Sequence, residues 1–382
     1  MKHVLEKNKC TGCTACINIC PKKAITMVES SDGFKYPEID QSKCIDCGAC
    51  IKVCPVLKTK TNIALNKCYV GYNKNEKIQF NSSSGGIFSL IASNILNQKG
   101  IVIGAAFNEN NELKHIAIEK NEDLHKLMGS KYLQSDLNNI FKYIKENIKN
   151  RIILFVGTPC QVAGLKAVIK NDYNNLICID LICHGVPTPK LFKKYIDELE
   201  KENGKLINYN FRDNKTGWDT YSNTATFKDK EITESSGQNK YMKLFLSDIA
   251  LRQSCYNCNF KLGNKYSDIT LGDFWGVKNY YPEMYNKSGV SAIIVNTEKG
   301  NQIFQNIQEN IKYKECKLDE IVSGNPSLKV SGKEPKKRQS FFNEIDKSPV
   351  WKLTKKYQKK TSVLSKIKKI SKKILKKLHL SK

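Results

Sequence analysis

Residues 10–21 read CTGCTACINICP, and residues 44–55 read CIDCGACIKVCP. Each run spaces three cysteines by two residues, adds a fourth after three more, and closes with a proline. Soft, anionic thiolates suit iron, and three of them on one tight loop can cap three irons of a single cubane. The fourth cysteine cannot easily bend back to the same cube, because the proline directs the chain away. Zinc also uses Cys-x-x-Cys pairs, but it explains neither the third cysteine of each run nor the Cys-Pro step.

In bacterial two-cluster ferredoxins the fourth cysteine ligates the other cluster. The expected sets are therefore Cys10, Cys13, Cys16 and Cys54 for one 4Fe-4S cluster, and Cys44, Cys47, Cys50 and Cys20 for the other. The spacer 24–43 reads as a short hairpin turning at Asp32-Gly33. Residues 1–60 thus form an α+β ferredoxin-type domain, built to move single electrons.

The chain has 382 residues and fifteen cysteines. Its N-terminus, MKHVLEKNKC, shows neither an apolar core nor a small-residue cleavage site, so a cytoplasmic protein is expected. Thiols there point to metal or redox chemistry rather than disulfides. No apolar run approaches the ~18 residues of a spanning helix. The formal charge is +26, but residues 333–382 alone hold 18 Lys and Arg against three acids. Only Arg151, Arg212, Arg252 and Arg338 are arginines, whereas nucleic-acid readers lean on Arg for bidentate contacts. The lysine excess reads as codon bias, and no nucleic-acid partner is expected. At 100° per residue Val363, Leu364, Ile367, Ile370, Ile374, Leu375 and Leu378 share an arc of about 140° opposite the lysines. That pattern is a basic amphipathic helix, suited to an anionic membrane surface, an acidic partner or a seat on the body.

Between 61 and 332 apolar strand-like runs alternate with helical ones, which predicts an α/β domain. The strands are GIVIGAAF (100–107), RIILFV (151–156), LICIDLI (176–182) and SAIIVNT (291–297); the helices begin near Ser82, Cys160, Pro189 and Thr297. Four places carry possible chemistry. Ser82-Ser83-Ser84-Gly85-Gly86 opens a helix, where hydroxyls cap free N–H groups and glycines let a ligand approach, either as plain caps or as a pyrophosphate seat. Gly157-Thr158-Pro159-Cys160 turns from strand to helix, with the thiol in the first helical turn, either activated there or inertly buried. Cys183-His184-Gly185 follows the next strand, His184 reading as an orienting or capping residue. Cys255-x-x-Cys258 completes four thiols from three loops, the number a third cubane or a zinc site needs. Cys178 reads as a packed core thiol, and Cys68 and Cys316 take no assigned role.

With these sites in hand the body resembles the family of beta subunits of the coenzyme F-420 hydrogenases and dehydrogenases, in a form with a ferredoxin domain fused in front. The blocks SSGGIFS (83–89), GSKYLQS (129–135), GTPCQVAGLK (157–166), DLICHGVPTP (180–189), FRDNKTGW (211–218), LRQSCYNCNF (251–260) and SDITLGDFWG (267–276) carry the resemblance in order, and GVSAIIVNTEKG (289–300) extends it. The resemblance implies an FAD-binding α/β domain with its own 4Fe-4S cluster, held by Cys160, Cys183, Cys255 and Cys258. Ser84, Gly85, Gly86 and Lys131 would lie against the FAD. Where the family often places an Arg, this chain reads KLGNKY (261–266), and Lys265 supplies a charge there but not a bidentate fork.

The expected activity is oxidoreduction, exchanging a hydride with a deazaflavin such as coenzyme F-420 at FAD and single electrons with a redox partner protein or reduced ferredoxin. No side-chain acid or base is nominated, since hydride transfer at a flavin needs none; Asp268 and Asp273 read as turn or capping residues. Two rival readings are a non-catalytic electron-transfer subunit of a larger complex and a nucleic-acid-binding iron–sulfur protein.

Overall fold

The computed structural model describes residues 5–58, 67–263 and 265–359. The front end is a hairpin of β1 (Ile25–Glu29) and β2 (Lys35–Ile39) flanked by two five-residue helices, Ala15–Ile19 and Ala49–Val53. Gly33 makes the hairpin's turn at φ +76°, and a side chain there would also collide with Lys190. The turn is thus seated on the helix Pro189–Asn203, where the Thr188 hydroxyl donates to the Asp32 carbonyl at 2.6 Å.

The body is built on one eight-stranded sheet. Its strands are β3 (Lys67–Asn73), β4 (Ile101–Phe107), β5 (Leu113–Ile118), β6 (Ile153–Gly157) and β7 (Leu176–Leu181), then, after the separate antiparallel sheet of β8 (Leu206–Asp213), β9 (Ser222–Phe227) and β10 (Glu231–Ser235), β11 (Ile269–Asp273), β12 (Ser291–Val295) and β13 (Ile311–Cys316). The order is β13-β3-β12-β11-β7-β6-β4-β5. The central four, β11-β7-β6-β4, are parallel, as their continuous apolar runs require. The flanking strands pair antiparallel, so the sheet is mixed.

Both faces of the parallel core are covered. Val102, Leu154 and Ile177 point to the helix Ile87–Asn97, while Ile101, Ile153, Phe155 and Cys178 point to the helix Pro159–Val168. Each such side chain removed from water contributes about 1.5–3 kcal/mol. Cys178 is a fully buried member of that second face, and burial pushes its thiol up to about 12. Cys316 sits directly opposite Cys68 on the β13–β3 ladder.

The lysine-rich end does not separate from the body at residue 333. Two further helices, Arg338–Glu344 and Val350–Tyr357, bury Phe341, Ile345, Val350 and Leu353 in the core that also holds Leu191 and Tyr241. The amphipathic stretch Val363–Leu378 lies outside the described residues. Among the described residues no helix is long and apolar enough to cross a membrane.

Candidate functional site

The two cysteine runs fold alike. Thr14 and Gly48, at equivalent places, adopt left-handed φ of 60° and 68° at the start of their helices, and Cys20 and Cys54 end those helices with matching extended backbones. Left-handed backbone turns each loop sharply between its second and third cysteines, and Thr14 does so against the ordinary preference of a residue with a Cβ. Cys10, Cys13, Cys16 and Cys54 line one cavity, closed by Met27 and Pro37. On the other side, Cys50 is within electrostatic reach of Cys20 and Cys44. Cys13 and Cys54 are buried, whereas Cys47 is exposed. Burial pushes the Cys16 thiol up to about 12, and Cys13 higher still. Any metal there must displace protons.

A third thiol set stands at the carboxyl edge of the parallel strands. Cys160 follows β6 and Cys183 follows its neighbour β7, so strand order alone brings them together. Pro159 opens the helix that carries Cys160, and the Gln161 side chain accepts the Thr158 N–H at 2.9 Å, which fixes that turn. Cys255 and Cys258 arrive on a short helical turn and line the same cavity as Cys160 and Cys183. Burial pushes Cys160, Cys183 and Cys255 up to about 12, each raised further by neighbouring sulfurs of the set. Burial thus overrides the stabilisation expected from the helix start at Cys160.

Among the described residues no three His, Cys, Asp or Glu side chains converge closely enough to hold a single metal ion. The four thiols line one cavity. His184 lines this cavity, and its Nε2 shares a 2.5 Å hydrogen bond with Asp248. Lys261 holds the loop by donating to the carbonyls of Cys183 and Ser327.

The first and third sets adjoin. Gly164, one turn along the Cys160 helix, presses on Cys13: a Cβ there would lie 2.9 Å from the Cys13 Cβ and 3.1 Å from its sulfur. Cys13 and Cys160 are within electrostatic reach of each other.

The serine-glycine segment occupies the same sheet edge, beside β3, β12 and β11. Its hydroxyls do not cap the helix Ile87–Asn97; Gly86, at φ 76°, is the cap residue. Ser84 instead donates to the Val290 carbonyl and Ser83 accepts the Ser130 N–H at 2.7 Å. Gly85 is glycine because it abuts protein: a Cβ would lie 2.5 Å from the Gly71 carbonyl oxygen, and its N–H already donates to Ser291. The helix N-terminus therefore keeps N–H groups with no side-chain cap, as an anion seat requires. Beside it, Lys131 donates to the carbonyls of Lys126 and Met128, and burial pulls its pKa down to about 7. An uncapped helix start beside a half-buried amine that donates to neutral carbonyls fits a diphosphate.

Arg212 of β8 makes a two-pronged ion pair with Asp273 at 2.9 and 3.3 Å, donates to the Ser83 carbonyl and lies over the Trp275 ring. Asp273 also accepts from the Trp218 indole, and Asp268 accepts the Cys178 N–H and the Thr297 hydroxyl. Both carboxylates are framework groups, Asp273 through an ion pair rather than a turn. Lys265 pairs with Asp180 at 3.1 Å with both side chains almost wholly buried, so its charge is directed inward.

Residues 150–321 match the family model for the C-terminal part of the beta subunits of coenzyme F-420 hydrogenase/dehydrogenase, and residues 68–142 match the model of the N-terminal part. Residues 9–57 match a 4Fe-4S dicluster domain. One of the subunits of the F(420)H(2) dehydrogenase of Methanosarcina mazei is 22% identical over 87% of this chain and 89% of its own. An uncharacterised protein of Methanocaldococcus jannaschii is 24% identical over 73% of this chain and 84% of its own. In the solved F-420-reducing [NiFe] hydrogenase complex of Methanosarcina barkeri, one chain superposes with a TM-score of 0.49 at 16% identity, covering 76% of this chain and 91% of that one.

Proposed function

The chain belongs to the family of coenzyme F-420 hydrogenase/dehydrogenase beta subunits, with a 4Fe-4S dicluster domain in front, and on that premise we propose that it is an iron–sulfur flavoprotein oxidoreductase. Cys10, Cys13, Cys16 and Cys54 would hold one front cluster, and Cys44, Cys47, Cys50 and Cys20 the other. Cys160, Cys183, Cys255 and Cys258 would hold a third. Ser84, Gly86 and Lys131 would face the FAD diphosphate, with Gly85 seating that segment on β3 and β12. When bound, these groups supply the exchange between a hydride and single electrons.

The chain's own part is to hold and enclose. Thr158 and Gln161 fix the Cys160 turn, Asp248 fixes the His184 ring, and Arg212 ties Asp273 to the backbone of Ser83. No residue is assigned as a general acid or base. A deazaflavin of the F-420 class is the proposed hydride partner and a small one-electron carrier protein the other; the relative that forms part of a dehydrogenase supports a place in a larger complex.

The observation that carries the reading is the continuity of sulfur sites: an exposed set at Cys47, a buried one at Cys13, and a third against it at Cys160, at the same sheet edge as the uncapped helix. Anaerobically purified protein should show flavin bands over cluster absorption and should reduce a one-electron acceptor with reduced F-420. Clusters and flavin without such turnover would leave the chain a non-catalytic electron-transfer protein; absence of flavin would overturn the proposal.

A further inference from the structure

Arg252 stands where the front domain meets the third thiol set, and its surroundings are unusual for a charge. It is 1% exposed. Its guanidinium donates to the Cys10 carbonyl at 2.7 Å, to the Gln134 side-chain oxygen at 2.9 Å and to the Lys35 carbonyl at 2.9 Å, and its last contact is the Cys10 sulfur at 3.8 Å. It lies over the rings of Tyr36 and Phe34. Every oxygen it meets is neutral. Burying a full cation is costly unless an opposite charge compensates it, and the acceptor here that can carry negative charge is the Cys10 sulfur.

The same residue is tied to the body. Its N–H donates to the Val186 carbonyl, and its own carbonyl accepts the Cys255 N–H at 2.9 Å, so it opens the turn that presents Cys255. The Ser254 hydroxyl donates to the Cys10 carbonyl, and Gln134 donates to the Thr11 carbonyl while accepting from Arg252. Gly12 completes the wrap: at φ +73° it passes so close that a Cβ would stand 2.7 Å from the Gln134 amide and 3.0 Å from the guanidinium. The loop carrying Cys10 is folded around this one cation.

We propose that Arg252 is a positioning residue whose buried charge finds its counter-charge at the metal centre held through Cys10, and so sets that centre's reduction potential above what the same cysteines would give alone. The inference rests on the proposed reading of Cys10, Cys13, Cys16 and Cys54 as cluster ligands. A cation favours the more negative, reduced state. One elementary charge over roughly 8 Å at an effective dielectric of about 30 is worth about tenfold in the one-electron equilibrium, or about 59 mV.

The test is an EPR-monitored potentiometric titration of the loaded full chain as parent, Arg252→Gln and Arg252→Lys, the relevant signal being the one lost in Cys16→Ser. The Gln variant should lower that midpoint by about tenfold in equilibrium. It should shift the centre held through Cys160 and Cys255, which also lie within electrostatic reach of Arg252, in the same direction. The signal lost in Cys44→Ser should stay nearly in place, and the Lys variant should recover most of the shift. Should the Gln variant load iron with an unchanged midpoint, or should both variants shift equally, the charge is not the cause and the proposal fails. If the Gln variant does not load, a Lys variant that loads at the parental midpoint supports the proposal, and one that also fails to load overturns it in favour of a purely structural fork. A parent chain without iron would instead refute the cluster assignment itself.

Discussion

Gly164→Ala sets two known magnitudes against each other. Glycine inside a helix ordinarily costs roughly 0.5–1 kcal/mol relative to alanine, so the substitution should stabilise the helix Pro159–Val168 if space allowed. It does not. The new methyl would meet the Cys13 Cβ at 2.9 Å, its carbonyl oxygen at 3.0 Å and its sulfur at 3.1 Å, well inside the 3.5–4.0 Å carbon–carbon optimum. The two nearest neighbours are a Cβ and a backbone oxygen, not the end of a flexible side chain, and Cys13 precedes the left-handed Thr14, so they have little room to yield. Overpacking of this kind costs about 1–3 kcal/mol. The net expectation is a loss of about 1–2 kcal/mol and, because the displaced atom is a proposed ligand, partial loss of iron from the set that includes Cys13. The assay is the thermal midpoint and iron content of anaerobic protein, with Gly237→Ala as control, a position with nothing within 4 Å of the added Cβ. If Gly164→Ala melts at or above the parent with full iron, the argued contact between the two thiol sites is wrong.

Three further outcomes follow from the same geometry. Lys265→Met alone should cost about 3–5 kcal/mol by taking the cation from the buried Asp180 carboxylate, and adding Asp180→Asn to it should recover part of that loss; a double variant less stable than Lys265→Met in denaturant melts would show that the pair does not act as one unit. Burial holds Lys131 near 7 against an ordinary 10.5, so between those values the unfolded chain binds the extra proton and stability rises with pH. In flavin-free protein Lys131→Met should flatten that rise, and thermal midpoints that climb as steeply as the parent's would reject the assignment. Cys54→Ser should remove the same EPR signal as Cys10→Ser, and Cys20→Ser the same signal as Cys44→Ser; loss of matched signals within each run, Cys54 with Cys44 and Cys20 with Cys10, would reverse the proposed sets.

Much of the architecture was legible because its signals are local. Apolar runs on β6 and β7, each followed by a cysteine, imply neighbouring parallel strands with thiols at one edge, and Pro159 and Thr297 mark helix starts by their own chemistry. The antiparallel flanks and the sheet of β8–β10 were not foreseen, since their pairing depends on partners far along the chain. The serine hydroxyls were misjudged as caps because nothing local shows that Val290, Ser130 and Ser291 compete for them. The sequence alone assigned no role to Arg252, Arg212 or Gln134. The scarcity of arginine was the available clue: in a lysine-rich chain, three of the four arginines are buried, Arg212 and Arg252 with several acceptors each and Arg338 with two N–H groups on the Leu251 carbonyl, where a planar fork serves.

The most direct test of the account is metal and sulfide analysis with Mössbauer spectroscopy on anaerobic protein, parent beside Cys160→Ser/Cys255→Ser. The account predicts about 12 iron and 12 sulfide per parent chain, all in cubanes, falling to about 8 of each in the variant. Stoichiometric zinc in the parent, or iron unchanged in the variant, would contradict it.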